Sequence, residues 1–231
     1  MLMQARARPP ADMNRRPPGG GRSRERAVRA RGRDTVARLL AAGLAEFEER
    51  GFQAVTVDDI VRRARTSHGT FYLYFANKGD LFGVLAADAL GAMDRLSDEF
   101  PVVTANGAGR AALRKWVTAF CDTYQAHATV IRILSQAEVV GLGAWEDGLK
   151  YLFRMADVVS MGMTAGTAGG QKGADGRVSG TDSRLSAVAC LIMLERANYL
   201  ASSGVQLPRA ELADRLTAIV LAAFQAPQQP T

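Results

Sequence analysis

The chain has 231 residues, 48% of them hydrophobic and 23% charged, which suits a globular protein with a sizeable core and not a disordered one. No run approaches the ~20 apolar residues that cross a bilayer, and no apolar stretch of secretory-signal type stands near the start. Two cysteines, Cys121 and Cys190, make neither a disulfide framework nor a zinc spacing, so a reducing cytoplasm with no membrane association is the expected setting.

Charge is concentrated at one end. Residues 1–33 hold ten arginines against Asp12 and Glu25, a charge of +8, which leaves −2 on residues 34–231 out of +6 in all. The same stretch carries Pro9-Pro10, Pro17-Pro18 and Gly19-Gly20-Gly21. With so few large apolar groups it reads as a disordered basic arm. A basic arm on a near-neutral body points to a polyanion partner, nucleic acid first. The alternatives are a solvated low-complexity extension, or a chain whose true start is Met13.

From Asp34 onward the pattern is helical, and no segment alternates as a strand would. A first helix over 34–50 places Val36, Leu39, Leu40, Gly43, Leu44 and Phe47 on one face, and Gly51 is its stop. A second helix starts after Thr56, with capping-box spacing to Asp59. Asp58 and Asp59 suit the positive end of its dipole, and Arg62 and Arg63 suit the other end. Ser67 caps a third helix over 68–75. Asn77 caps a fourth, with Asp80 three residues on, which must end before Pro101 and spans ~30 Å. Further helices are expected over 109–127, 129–141 (Val130, Ile131, Leu134, Ala137), 144–163, 184–203 and 208–224. Pro208 sits at a first helical position of the last. Residues 164–183 hold six glycines and one sizeable aliphatic side chain, Val178, and read as a loop.

Two short helices joined by the tight Arg65-Thr66-Ser67 turn and packed on a first helix make a helix-turn-helix. At ~100° per residue, Phe71 and Phe75 of the third helix point together, toward the first helix. The opposite side shows Gly69, Thr70 and Leu73, flanked by Tyr72 and Tyr74. Such an uncharged surface of hydroxyls, methyls and one small residue suits a major groove. There hydroxyls reach phosphates or base edges, and apolar groups meet thymine methyls. Lys78, opening the fourth helix, is a candidate phosphate contact. The competing reading is a small aromatic core cluster.

The segment 56–82, TVDDIVRRARTSHGTFYLYFANKGDLF, resembles the DNA-binding signature of the TetR family of bacterial transcriptional regulators. It matches at Thr56, Val57, Ile60, Ala64, Ser67, Gly69, Thr70, Phe71, Tyr72, Tyr74, Phe75, Lys78 and Leu81. Two positions depart. Arg65 stands where the family commonly has Gly; a positive φ there would strain it by ~1–2 kcal/mol unless the turn differs or a phosphate contact offsets it. Gly79 stands where Glu is frequent.

The resemblance implies an all-α protein in three parts. They are the arm (1–33), a helix-turn-helix domain (34–85), and a helical domain (86–231) for regulation, ligand binding and dimerisation. The expected function is a ligand-responsive regulator, a repressor, binding a palindromic double-stranded DNA operator as a homodimer and released by a small apolar effector. An activator of the same fold, or a weakly specific DNA binder driven by the arm, is the alternative. The implied DNA-binding residues are Thr56, Ser67, His68, Gly69, Thr70, Tyr72, Leu73, Tyr74 and Lys78. Trp116, Phe120, Tyr124, Trp145, Leu149 and Phe153 are bulky groups on two helices that either line an apolar ligand cavity or simply pack. His127, near a helix end, reads as a capping or surface histidine. The last two helices are the implied dimer interface, through Leu191, Leu194, Glu195, Tyr199, Leu216 and Val220; the alternative for 187–194 is a wholly internal helix. No cofactor, metal or catalytic residue is expected. The sequence has no His-x-x-x-His, no Gly-x-x-x-x-Gly-Lys-Ser/Thr loop and no evident nucleophile–base pair, so an enzyme is not the expected reading.

Overall fold

The computed structural model describes residues 20–136, 144–165, 180–202 and 208–225. Among them the chain is helical, in the order α1 (Gly20–Arg50), α2 (Val57–Arg63), α3 (His68–Tyr74), α4 (Lys78–Asp98), α5 (Gly107–Ala126), α6 (Ala128–Leu134), α7 (Ala144–Ala165), α8 (Gly180–Ser202) and α9 (Arg209–Gln225). The expectations for residues 1–19, for Ala137 and for most of the glycine-rich stretch fall outside the described residues. No described helix is long and apolar enough to cross a membrane.

Several boundaries differ from the sequence reading, among them that of α8, which starts at Gly180 inside the expected 164–183 loop. The first helix starts at Gly20, not near 34. Residues 20–33 contain no proline and hold six arginines and two alanines, both good helix formers, so the helix extends N-terminally past its buried face. The sixth helix ends at Leu134, where the Ser135 amide closes back on Ile131 at 2.8 Å. Pro208 precedes α9, and its carbonyl accepts from Leu212 N at 2.9 Å.

The apolar face of α1 buries Leu39, Ala42 and Phe47 against Ile60, Val61, Phe71, Phe75, Leu81 and Phe82. Phe47, Phe52 and Phe82 form a ring cluster with centroids 5.1–6.0 Å apart. Gly43 lets α4 close on α1: a Cβ there would lie 2.6 Å from Leu81 Cδ2. Gly51 takes φ 76° and donates its N–H to Phe47 O at 3.0 Å, which ends α1 as predicted.

All three predicted caps form. Thr56 Oγ1 accepts from Asp59 N, and Asp59 Oδ2 accepts from Thr56 N at 2.9 Å, a complete capping box. Ser67 Oγ accepts from Thr70 N at 3.1 Å, and Asn77 Oδ1 from Asp80 N at 2.9 Å. The turn between α2 and α3 carries the strain that the sequence raised. Arg65 has φ 51°, the left-handed region that favours glycine. Arg65→Gly is therefore expected to stabilise the chain by about 0.5–1 kcal/mol, the relief of strain less the backbone entropy of glycine. The urea midpoint would rise at constant slope; a lowered midpoint would mean that Arg65 makes a compensating contact.

The C-terminal helices enclose a second core of Met93, Leu96, Trp116, Val117, Phe120, Met155, Leu191, Leu194, Leu216 and Val220, among others. α4 runs through both cores, giving Leu81, Phe82, Ala86 and Ala89 to the first and Met93 and Leu96 to the second. α6 also joins them. Its Val130, Ile133 and Leu134 belong to the N-terminal core, while Ile131 packs on the C-terminal one.

Candidate functional site

α3 is amphipathic in an unusual way. Phe71 is 0% exposed and Phe75 is buried, so the helix is anchored on α1; yet Tyr72 is 57% and Leu73 74% exposed. Exposed aromatic and aliphatic groups on a well-anchored helix make a surface that fits a partner, not a core. Ser67, His68 and Gly69 are also exposed, and Thr70 is half-buried. Tyr74 lies against the N-terminal half of α1, where a Cβ on Gly32 would be 3.3 Å from its hydroxyl. His68 Nε2 sits 2.8 Å from Asp58 Oδ1, so α2 positions the first residue of α3.

Lys78 needs correction. Its ammonium donates to the carbonyls of Phe52 (2.9 Å), Gln53 (3.1 Å) and Val55 (2.8 Å) and stands 4.8 Å over the Phe52 ring. An ammonium has three donors, and all three are committed to the chain's own loop. Burial also pushes its pKa below the usual lysine value. Lys78 holds the α1–α2 loop onto α4 and is not a free phosphate cation.

The charges of α2 stand at the expected ends of its dipole, Asp58 and Asp59 in the first turn and Arg62 and Arg63 in the last, and two of them have a further role. Arg63 Nε donates to buried Glu46 at 2.8 Å and its guanidinium also pairs with Glu49, while Arg50 pairs with Asp59 at 2.8 Å. These pairs fix α2 across α1. Asp59 is held well below the ordinary carboxylate range, first by the Thr56 hydroxyl, then by Arg50 and the Thr56 N–H. Such a group, near ~3.9 when unfolded, contributes stability that is full above that value and lost as acid protonates it in the fold. Asp59→Ala is thus expected to lower stability at neutral pH, and the gap to the parent should narrow from about pH 5 to about pH 2 in urea titrations. A gap that does not change with pH would show that the carboxylate charge contributes nothing.

Two cavities flank the α4–α6 junction. One, of about 370 Å³, is walled by Leu90, Met93, Phe120, Ile131, Leu134, Leu149, Leu152, Met155, Leu191 and Ile192, with Ser135, Tyr151 and Glu195 as its polar members. The other, of about 450 Å³, lies between the two parts of the chain. Leu44 and Glu48 of α1, Leu85 and Asp88 of α4, and Tyr124, His127, Arg132, Tyr199 and Ser202 line it.

Of the sequence candidates for ligand contact, Phe120 and Leu149 line the first cavity and Tyr124 the second. Trp116 does not: its indole N–H donates to Leu96 O at 2.8 Å and its ring packs on Phe100 at 4.8 Å, as core. Phe153 faces outward beneath Arg184, 5.4 Å from its ring. The Trp145 side chain lies outside the described residues. The two-helix cavity expected between α5 and α7 is instead a five-helix one, because α4, α6 and α8 supply walls that periodicity within single helices does not reveal. His127 joins α5 to α6 without a side-chain cap hydrogen bond. Among the described residues no group of His, Cys, Asp or Glu forms a metal-binding cluster.

The dimer candidates are also redistributed. Leu191, Leu194, Leu216 and Val220 are buried in the chain's own core, since α8 packs on α5, α7 and α9, with Leu191 and Leu194 on the inward face of α8 and Leu216 and Val220 on that of α9. Glu195 turns into the 370 Å³ cavity, and half-buried Tyr199 lies beneath Arg196, 5.0 Å from its ring. The outward row of α8 is instead Leu185, Ala189, Ile192, Arg196 and Leu200, with Ala218, Ile219, Ala222 and Ala223 exposed on α9.

Comparison with known proteins fits this geometry. Residues 39–85 match the family described as "Bacterial regulatory proteins, tetR family". Transcriptional regulator AcuR of Cereibacter sphaeroides is 45% identical over 51 residues, 22% of this chain and 23% of that protein; the chain thus matches about a quarter of that relative's length. A TetR-family regulator from Syntrophomonas wolfei shares the fold with TM-score 0.60 at 16% identity, over 83% of this chain and 95% of that one. Regulator FadR from Bacillus subtilis, solved in complex with stearoyl-CoA, shares it with TM-score 0.59 at 15% identity, over 81% and 98%. The helix-turn-helix segment 39–85 is thus of the TetR-family type, and the all-helical frame has the fold of solved TetR-family regulators.

Proposed function

We propose that the chain is a homodimeric repressor whose two α3 helices read a palindromic operator and whose affinity an effector in the 370 Å³ cavity lowers. The observation that carries this is α3 itself. Phe71 and Phe75 fix the helix on α1, while Ser67, His68, Gly69, Tyr72 and Leu73 stand free on its outer side. Thr56 caps α2, and Ser67 caps α3 by accepting from the Thr70 N–H. Tyr and Thr hydroxyls reach phosphates and base edges, and Leu73 suits a thymine methyl. Lys78 leaves the reading set.

A dimer supported by the outward faces of α8 and α9 would place two α3 helices in successive major grooves, ~34–36 Å apart. The apolar cavity supports an effector with an apolar body, and the acyl-CoA held by the Bacillus subtilis FadR accords with that. An effector acts only through differential affinity for the two conformations; full reversal from 1:99 to 99:1 needs a ratio of ~10⁴. α4 and α6 supply the route, because both wall the cavity and both belong to the N-terminal core. An activator would use the same contacts at a different promoter position.

The test is fluorescence anisotropy of the purified chain with DNA from upstream of its own gene, against scrambled competitor at two salt concentrations. Binding that survives the competitor supports a sequence-specific regulator. Binding that the competitor abolishes favours the second reading, a weakly specific DNA binder driven by the +8 of residues 1–33.

A further inference from the structure

We propose that the 370 Å³ cavity takes an amphipathic cation: an apolar body bearing one protonated amine that pairs with Glu195. The inference rests on the effector reading of that cavity and names the chemical class it selects. Among the described residues, Glu195 is the ionisable carboxylate in a wall that is otherwise mainly aliphatic and aromatic, its remaining polar members being Ser135 and Tyr151.

The carboxylate is under-used by the chain. Its Oε1 accepts from the Ser135 hydroxyl at 3.2 Å and the Tyr124 hydroxyl at 3.4 Å, both long for bonds to a charged acceptor. Its Oε2 faces Arg196 Nε at 3.8 Å, and that guanidinium is more than half exposed at the rim. A carboxylate offers about four acceptor sites, so room remains for a strong donor from inside the cavity. Apolar walls enlarge any charge–charge term there. They would favour an ammonium and oppose a carboxylate or phosphate head, while a neutral head would leave Glu195 with its two long bonds.

The same pairing would carry information. Tyr124 bonds Glu195 and also lines the neighbouring 450 Å³ cleft against α1 and α4. A ligand ammonium that draws the Glu195 carboxylate farther into its cavity would stretch the already long bond to Tyr124, and so loosen a side chain that shares a cleft with Leu44 and Glu48 of α1.

The experiment uses the full chain and three probes with one apolar body: 4-phenylbutylamine, 4-phenylbutanol and 4-phenylbutanoate. Binding is measured by calorimetry to the parent, to Glu195→Gln and to Leu152→Trp, which fills the cavity; circular dichroism checks that each variant folds. The expected result is amine binding at least ~10-fold tighter than alcohol or acid, with the preference lost in Glu195→Gln and all binding lost in Leu152→Trp. Three probes binding alike, or the acid binding best, overturns the cation proposal while the cavity remains the effector site. Amine preference that persists in Glu195→Gln but not in Leu152→Trp overturns the role of Glu195. No binding by any probe, or binding indifferent to Leu152→Trp, overturns the effector reading itself and the proposal with it.

Discussion

Tyr72→Ala is expected to lower operator affinity by about 2–6 kcal/mol, from ~1–3 kcal/mol per lost contact in each of two half-sites, without changing stability. The reason lies in the two faces of α3. Tyr72 is mostly exposed; its ring meets Phe71 edge-on at 5.5 Å and lies tilted 6.5 Å from His68. Removing it leaves the anchor intact. Phe71→Ala, one position away, should do the reverse. It empties a fully buried site and destabilises the domain by ~3–5 kcal/mol, with DNA binding lost through unfolding. Anisotropy and thermal melts on both variants separate the two. Tyr72→Ala with unchanged affinity would remove α3 as the reading helix. Tyr72→Phe refines the result: full affinity would assign the contact to the ring, and a loss as large as that of Ala would assign it to the hydroxyl.

How much of this was legible in the sequence depends on whether the cause is local. The caps at Thr56, Ser67 and Asn77 and the stop at Gly51 are set by residues within four positions, so spacing identifies them; the strain at Arg65 was legible only through the family resemblance, which has Gly there. The two-faced α3 is legible for the same reason, since its rows follow from one helix period. Lys78 was misassigned because its three carbonyl partners lie 23 to 26 residues upstream, and no local pattern announces a clamp of that span. The α8 leucines were misassigned because an all-round apolar helix looks alike whether a second chain or its own neighbours cover it. Only packing shows that Leu191 and Leu194 face inward while Leu185 and Ile192 do not. Glu195 carried no signal either: a charged residue in an apolar run reads as an interface group until α5 and α6 are placed beside it.

Packing also changes the picture of transmission. From sequence, the long fourth helix is the lever, since it spans both parts. The structure adds α6, a seven-residue helix whose Leu134 belongs to the N-terminal core and lines the effector cavity. An occupant that presses on Ile131 or Leu134 therefore pushes on side chains that pack beneath α1 and α4. Packed interiors respond to such pressure by switching between arrangements more readily than by deforming.

The second large effect concerns salt. Deleting residues 1–29 removes eight arginines, Asp12 and Glu25, a charge of +6, and leaves a chain of zero net charge. The deletion spares the buried face of α1, which begins beyond it at Val36 and Leu39, so stability should not change. Non-specific attraction should, because each neutralised phosphate contributes ~0.9 to the slope of log K against log salt. If the arm meets ~4 phosphates, the slope falls by ~3–4 units. Its placement favours such contacts: α1 is one continuous helix from Gly20, and a Cβ placed on its Gly32 would lie 3.3 Å from the Tyr74 hydroxyl of α3. The basic segment thus leaves the body beside the reading helix and not at the far end of the bundle. A reduced slope with the operator preference kept would assign the arm to phosphates and α3 to sequence. An unchanged slope would make residues 1–29 a passive extension and put the whole electrostatic attraction on a body that carries no net charge.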